Sequence, residues 1–214
     1  MIPKRYIDEW KFQAPWNSLD HVEQDLIISR ALVDIFSDDF LRENLAFRGG
    51  TALHKLYLNP APRYSEDIDL VQVKKGPIKP ILKRIGEVIT FFEEKRVVKP
   101  KANNNTILYR FDSEYNPGTR LKLKIEINCR EHFNVLGWEE FPFEMKSEWL
   151  LGKANILTYN VNELLGTKLR ALYQRKKGRD LFDLFYADQN LELDYDQIIH
   201  TYNEYMDFVV NKPP

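Results

Sequence analysis

The chain has 214 residues, 43% of them hydrophobic and 29% charged, enough for one substantial core or a core with a helical appendage but not for several domains. Thirty-one basic against thirty-two acidic side chains give a formal charge of −1, so the global footprint of a nucleic-acid binder is missing and any such role falls to local patches. No apolar run approaches the roughly 20 residues of a membrane span. The opening segment is charged where a signal peptide is apolar, and the single Cys129 has no disulfide partner; both point to the cytoplasm.

Residues 1–17, with Trp10, Pro15 and Trp16, show no periodicity and read as an arm that docks on the rest. From Asp20, a capping-box pattern to Glu23 and apolar residues at helical spacing predict a helix to about Ser37. Leu45 to Arg48 is a short strand, Gly49-Gly50 turns it into a helix to about Leu58, and Asp67 to Val73 is the next strand. Ile81 to Phe92 carry a helical stripe predicted to run to Lys95, with Pro77 and Pro80 tolerated in its first turn. Asn103–Asn105 form a turn between two strands. Leu121, Leu123, Ile125 and Ile127 then alternate with polar residues in a strand that presents Glu126 on its polar face. Residues 130–158 look loop-like and aromatic, a bridge between lobes, and helices follow from Asn160, Arg179 and Asp194. The expected fold is α+β, with residues 1–150 as arm, helix and catalytic core and 151–214 as a C-terminal helical lobe that completes a cleft.

The chemistry gathers around Asp67 and Asp69, which share one face of a strand and can clamp a divalent metal. Leu70, Val71 and Val73 make that strand largely buried, where two acids need a compensating cation. Glu126 either supplies a third carboxylate or pairs with Lys122 and Lys124 on its own face. Gly49-Gly50-Thr51 between strand and helix can hold a polyphosphate on backbone amides, or can be a tight turn and nothing more. Lys168, spaced by four from Leu164 and Leu172, faces inward and needs an anion; it contacts a triphosphate or snorkels at the edge of the stripe. Capping explains Asp180, while Asp183, deeper in its helix, is the better candidate for an active-site or orienting role. Three basic patches, Lys74–Arg84, Lys95–Lys101 and Arg175–Arg179, could neutralise phosphates, although each alone reads as a solvated face. The four histidines lack metal-ligand spacing, and no P-loop or nucleophile elbow is present.

Five blocks in order, Phe47-Arg-Gly-Gly-Thr-Ala-Leu53, Arg63-Tyr-Ser-Glu-Asp-Ile-Asp-Leu70, Lys124-Ile-Glu126, Gly166-Thr-Lys-Leu-Arg-Ala-Leu172 and Arg179-Asp-Leu-Phe-Asp-Leu184, make the chain resemble the AbiEii/AbiGii-type nucleotidyltransferase toxins, including the MenT group. The resemblance implies a minimal polymerase-β-like nucleotidyltransferase lobe packed on a helical lobe, a nucleoside triphosphate substrate, and Mg2+ or Mn2+ as cofactor. It places the nucleotide and metal site on Gly49, Gly50, Thr51, Ser65, Asp67 and Asp69, and further essential residues on Lys168 and Asp183. Arg48 or Arg63 would assist at the triphosphate, and Glu126 or Asp183 would help to deprotonate the acceptor. The resemblance also implies a tRNA 3′ end as acceptor and a cognate antitoxin as partner. Three rival readings are nucleotidylation of a protein hydroxyl, a catalytically silent nucleotide- or RNA-binding module, and a metal-dependent nuclease; the last ranks lowest, because Glu126 lacks the following Glu-x-Lys lysine.

Overall fold

The computed structural model describes residues 2–14, 16–101 and 103–210, with side chains to Phe208; Met1, Pro15 and the end of the expected C-terminal lobe, 211–214, lie outside the described residues. Seven strands form one mixed sheet: β1 Leu45–Arg48, β2 Asp67–Gln72, β3 Val97–Lys99, β4 Asn104–Asp112, β5 Arg120–Asn128, β6 Trp138–Ser147 and β7 Leu150–Tyr159, in the order β3-β4-β5-β2-β1-β7-β6. β1 is antiparallel to β2, and β2 runs parallel to β5. The two strands that carry the chemistry therefore lie side by side near the middle of the sheet.

The helix predicted from Asp20 is α2, Leu19–Phe36, buried along nearly its whole length and packed on β5, β6 and β7. Gly152 of β7 lies so close to it that an added Cβ would stand 2.7 Å from Val33. No capping box forms: Ser18 is the N-cap without a side-chain bond, and Asp20 instead accepts from Ser113 and Asn116. The N-terminal arm holds a helix of its own, α1 Lys4–Trp10, which buries Ile7 and Trp10 and donates the Trp10 indole N–H to Asp25 of α2. A short α3, Asp39–Asn44, capped by Asp38, went unrecognised because six residues carry too little periodicity. α5, Ile78–Val88, ends well before Lys95.

Residues 130–158, expected to be a loop-like bridge between lobes, are no bridge. β6 and β7 form a long antiparallel hairpin whose second strand joins β1 in parallel. Phe141, Phe143, Met145 and Ser147 point inward and alternate with exposed residues, and Pro142 is tolerated because β6 is an edge strand. A division at residue 150 falls at the end of this hairpin's turn, so β7 belongs to the same sheet as the core.

The double glycine opens α4, Gly49–Ala52, which continues as a π-helical turn over Leu53–Tyr57. Against that turn packs a helical group made of α6 Val161–Arg175, α7 Gly178–Asn190 and α8 Tyr195–Val210. Leu53, Leu58, Leu165, Ala187 and Ile198 form their own small core. Asn160 caps α6 with its side chain, but Glu163, instead of closing a capping box, accepts from the Val135 and Leu136 amides and from the Tyr205 hydroxyl, tying α6 and α8 to the loop before β6. Gly166 admits α8 at close range: a Cβ there would meet Thr201 at 2.7 Å.

Candidate active site

Asp67 and Asp69 alternate along β2 with buried Ile68 and Leu70, so both carboxylates stand on the sheet face away from the main core. Register sets Asp67 opposite Lys124 and Asp69 opposite Glu126 on β5, and Arg48 opposite Asp69 on β1. The Lys124 ammonium lies 3.0 Å from Asp67 Oδ2 and 3.3 Å from Glu126 Oε1. Asp67 Oδ1 is buried without a partner, and no described residue donates a hydrogen bond to Asp69. Burial first, and then the charges of Asp67 and Glu126, push the Asp69 carboxyl up to about 6.

The glycine turn closes on these acids. Gly49 has φ of +80°, in the left-handed region, and a Cβ added there would overlap the Asp69 carboxylate. The backbone thus passes directly over Asp69. At Gly50 an added Cβ would lie 3.0 Å from Arg63 Nη2 and 3.5 Å from both Lys168 Nζ and Ser65 Oγ, so two cations and a hydroxyl converge on bare backbone. Thr51 is a different case from the expected phosphate contact. Its buried hydroxyl donates to the Asp67 carbonyl at 2.5 Å and accepts from Ser65 Oγ at 2.8 Å, locking α4 to the start of β2.

Lys168 does not snorkel. Its side chain is 9% exposed and lies 2.8 Å from Asp183 and 3.5 Å from Asp180. Asp183 also accepts two bonds of 2.6 Å from Arg63, in the bidentate geometry, and one of 3.0 Å from His54 Nε2. Burial alone would raise its carboxyl, but His54, Arg63 and Lys168 together hold it well below the usual carboxylate range. A carboxylate so saturated is a poor proton acceptor, so Asp183 is an anchor for the two cations and not the base it was expected to offer. His54, driven towards the neutral form by burial, donates through Nε2 and leaves Nδ1 bare. Asp180 is not the cap it was expected to be: α7 has Lys177 at its N-cap and no side-chain cap, and Asp180, fully buried, holds Lys168 and Arg175 instead.

On the other side of the acids, Glu131 accepts from Arg48 at 2.6 Å and from Arg170 at 2.7 Å. Burial would raise this carboxyl, yet the Arg48 charge and the Arg170 hydrogen bond bring it down to about 2. Arg48, expected beside a triphosphate, therefore spends one N–H on Glu131 while still lining the cleft. Nothing in the pattern around Glu131, in the loop after β5, announced it; Arg170 lay in the Gly166–Leu172 block but not on its apolar stripe.

A cleft of about 430 Å3 gathers these parts between the sheet and α6–α7. Arg48, Gly49, Gly50, Arg63, Ser65, Asp67, Asp69, Glu126 and Lys168 line it; Thr51 and Asp183 do not. Of the three basic patches, only the one around Arg175 and Arg179 reaches the cleft wall, while Lys83 and Arg84 pair with Glu87 and Asp38. Among the described residues no three acidic, histidine or cysteine side chains are gathered as a ready metal cage, and Lys124 is paired with Glu126 and with one oxygen of Asp67. The unpartnered Asp67 Oδ1 and the unbonded Asp69 carboxylate are nevertheless hard oxygen donors in want of a cation, and they fit Mg2+ or Mn2+.

A family model described as the nucleotidyl transferase AbiEii toxin of type IV toxin–antitoxin systems matches residues 30–212. Among solved structures, MenT4, a nucleotidyltransferase toxin from Mycobacterium tuberculosis H37Rv, superposes with a TM-score of 0.71 at 17% identity, over 99% of this chain and 73% of that one. JHP933 from Helicobacter pylori superposes with a TM-score of 0.59 at 21% identity, over 91% and 79% of the two chains. At these identities the likeness speaks for the fold. No curated protein sequence matches the chain, and no described helix is long and apolar enough to cross a membrane.

Proposed function

The chain belongs to the AbiEii nucleotidyltransferase toxin family, and from that premise we propose that it transfers a nucleoside monophosphate from a nucleoside triphosphate to the 3′ hydroxyl of an RNA, a tRNA end being the intended acceptor. The observation that carries this reading is the convergence at Gly49–Gly50: backbone laid over Asp69 on one side, and Arg63, Lys168 and Ser65 facing Gly50 on the other. Polyphosphate needs cations on its outer oxygens and bare backbone at close range, and this corner offers both.

Lys168 and Arg63, pre-aligned by Asp183, bind the β- and γ-phosphates and stabilise the departing pyrophosphate. Asp67 and Asp69 would hold Mg2+ or Mn2+, which supplies the charge neutralisation that displacement at a phosphate requires. The acceptor oxygen forms its bond to the α-phosphorus as the bond to the bridging oxygen of pyrophosphate breaks, and Glu126, on the open cleft face, takes the hydroxyl proton. Arg175 and Arg179 along the rim meet the acceptor's backbone phosphates. Restraint by an antitoxin follows from the toxin family.

The test incubates the protein with each labelled nucleoside triphosphate, total tRNA and Mg2+. Label that nuclease removes and protease does not, lost in Asp67→Asn, supports the proposal. Equal transfer by Asp67→Asn would refute the site, and protease-sensitive label would move the acceptor to a protein hydroxyl.

A further inference from the structure

Asp67 and Asp69 on β2, with Lys124 and Glu126 on β5, make a square on one sheet face: three acids and one base, each acid of β2 directly opposite a residue of β5. Strands lie about 4.8 Å apart, and same-face neighbours along a strand stand roughly 7 Å apart, so the four side chains share one small area. The ammonium reaches across to Asp67 and along its own strand to Glu126. Asp69, at the remaining corner, receives no hydrogen bond or ion pair from the described residues. The square thus holds two kinds of oxygen. Asp67 Oδ1 and the Asp69 carboxylate stand unpaired, whereas Asp67 Oδ2 and Glu126 are occupied by the lysine.

A divalent ion meeting this surface finds two carboxylates, one of them half-engaged by a positive charge, and a third turned towards that charge. Hard cations gain affinity with each added carboxylate and lose it to a neighbouring ammonium. We propose that Lys124 is the built-in counter-ion of the acidic square, and that a divalent cation completes its carboxylate set only by displacing the ammonium from Asp67 and Glu126. Lys124 then keeps three mutually repelling carboxylates in register while the metal is absent, and holds metal affinity down until a nucleotide brings phosphate oxygens with the ion. The inference rests on the metal-binding reading of Asp67 and Asp69, but it concerns how the protein behaves without nucleotide or acceptor.

Calorimetric titration with Mg2+ and with Ca2+, nucleotide absent, compares wild type with Lys124→Met. The variant is expected to bind at least tenfold more tightly and, in EDTA, to melt at a lower temperature than wild type, the order reversing when metal is added. Equal or weaker metal affinity in Lys124→Met, or no binding by either protein, would overturn the inference. Should the variant fail to fold, the wild type decides the matter: reductive methylation followed by mass spectrometry measures the reactivity of Lys124 with and without Ca2+. A several-fold rise on adding metal, with Lys55 as the buried, ion-paired control, is the expected result, and an unchanged or slower rate overturns the inference. Neither measurement includes nucleotide or acceptor, so a protein that transfers label yet shows no change at Lys124 refutes this inference alone, while one that transfers nothing leaves both measurements readable.

Discussion

Replacing Asp183 by Asn removes one negative charge from beneath Lys168 and Arg63 without changing the shape of the side chain. Asp183 is fully buried and Lys168 nearly so, and leaving such a cation without its anion costs about 3–5 kcal/mol. Against a total stability of roughly 5–15 kcal/mol, Asp183→Asn should lower the midpoint of urea unfolding severely. Asp69→Asn should do the opposite. The Asp69 carboxyl titrates at about 6 in the fold against an ordinary value of 3.8, so its ionised form is disfavoured by folding, by on the order of 1–3 kcal/mol at about 1.4 kcal/mol per unit. Since the folded value is the raised one, this cost is absent below about pH 4, grows as pH rises towards about 6 and is full above it. Urea unfolding at pH 8 in EDTA is therefore expected to rank Asp69→Asn above wild type and wild type above Asp183→Asn, with the Asp69→Asn advantage vanishing near pH 4. Both variants should lose transferase activity. If Asp69→Asn were as destabilised as Asp183→Asn, the distinction between a carboxylate kept for a ligand and one kept for the scaffold would be wrong.

The glycine pair should separate in the same way. Gly49→Ala has both a left-handed φ and an overlap with Asp69, and should abolish activity together with a loss of stability; Gly50→Ala, whose Cβ would stand 3.0 Å from the Arg63 guanidinium and in ordinary contact with Lys168 and Ser65, should cost less stability than Gly49→Ala while its KM for nucleoside triphosphate rises at least tenfold in steady-state assays. Glu131, whose folded value of about 2 lies below 4.5, contributes stability that is complete above pH 4.5 and lost as pH falls towards 2; Glu131→Gln should unfold more easily at pH 7 in urea, by about 3 kcal/mol, and show a flatter acid transition than wild type. Thr51→Val breaks the clamp between α4 and β2 and should cost about 1–2 kcal/mol in the same urea assay, with nucleotide affinity reduced far less than by Gly50→Ala.

The parts of the site written in local pattern were legible in the chain. Two acids at alternate positions of a hydrophobic strand, a double glycine before a helix, and a lysine four residues from two leucines each announce a geometry, and each lines the cleft. What escaped was long-range partnership. Glu131 lies in a loop, and its meaning comes from Arg48 and Arg170, which approach it from β1 and α6. His54 has no metal-ligand spacing to the other histidines, and only the fold brings Asp183 to it across more than a hundred residues. Thr51 and Asp183 were expected to meet nucleotide and acceptor, but their partners are the protein's own carbonyl, guanidinium and ammonium groups. The β6–β7 hairpin was hidden by Pro142 and by the aromatic residues, although the alternation of Phe141, Phe143 and Met145 was there to be read; an edge position accommodates a proline that a central strand would exclude.

The central claim is that the acidic strand and the glycine turn hold one metal-bound triphosphate between them. Its most direct test is a crystal soaked with Mn2+ and a non-hydrolysable nucleoside triphosphate, with the metal placed by anomalous scattering. The account predicts a peak within about 2.0–2.3 Å of carboxylate oxygens of both Asp67 and Asp69, with the β- and γ-phosphates lying over Gly50 in reach of Arg63 and Lys168. A metal bound away from β2, or a triphosphate that leaves Gly50, Arg63 and Lys168 untouched, would contradict it.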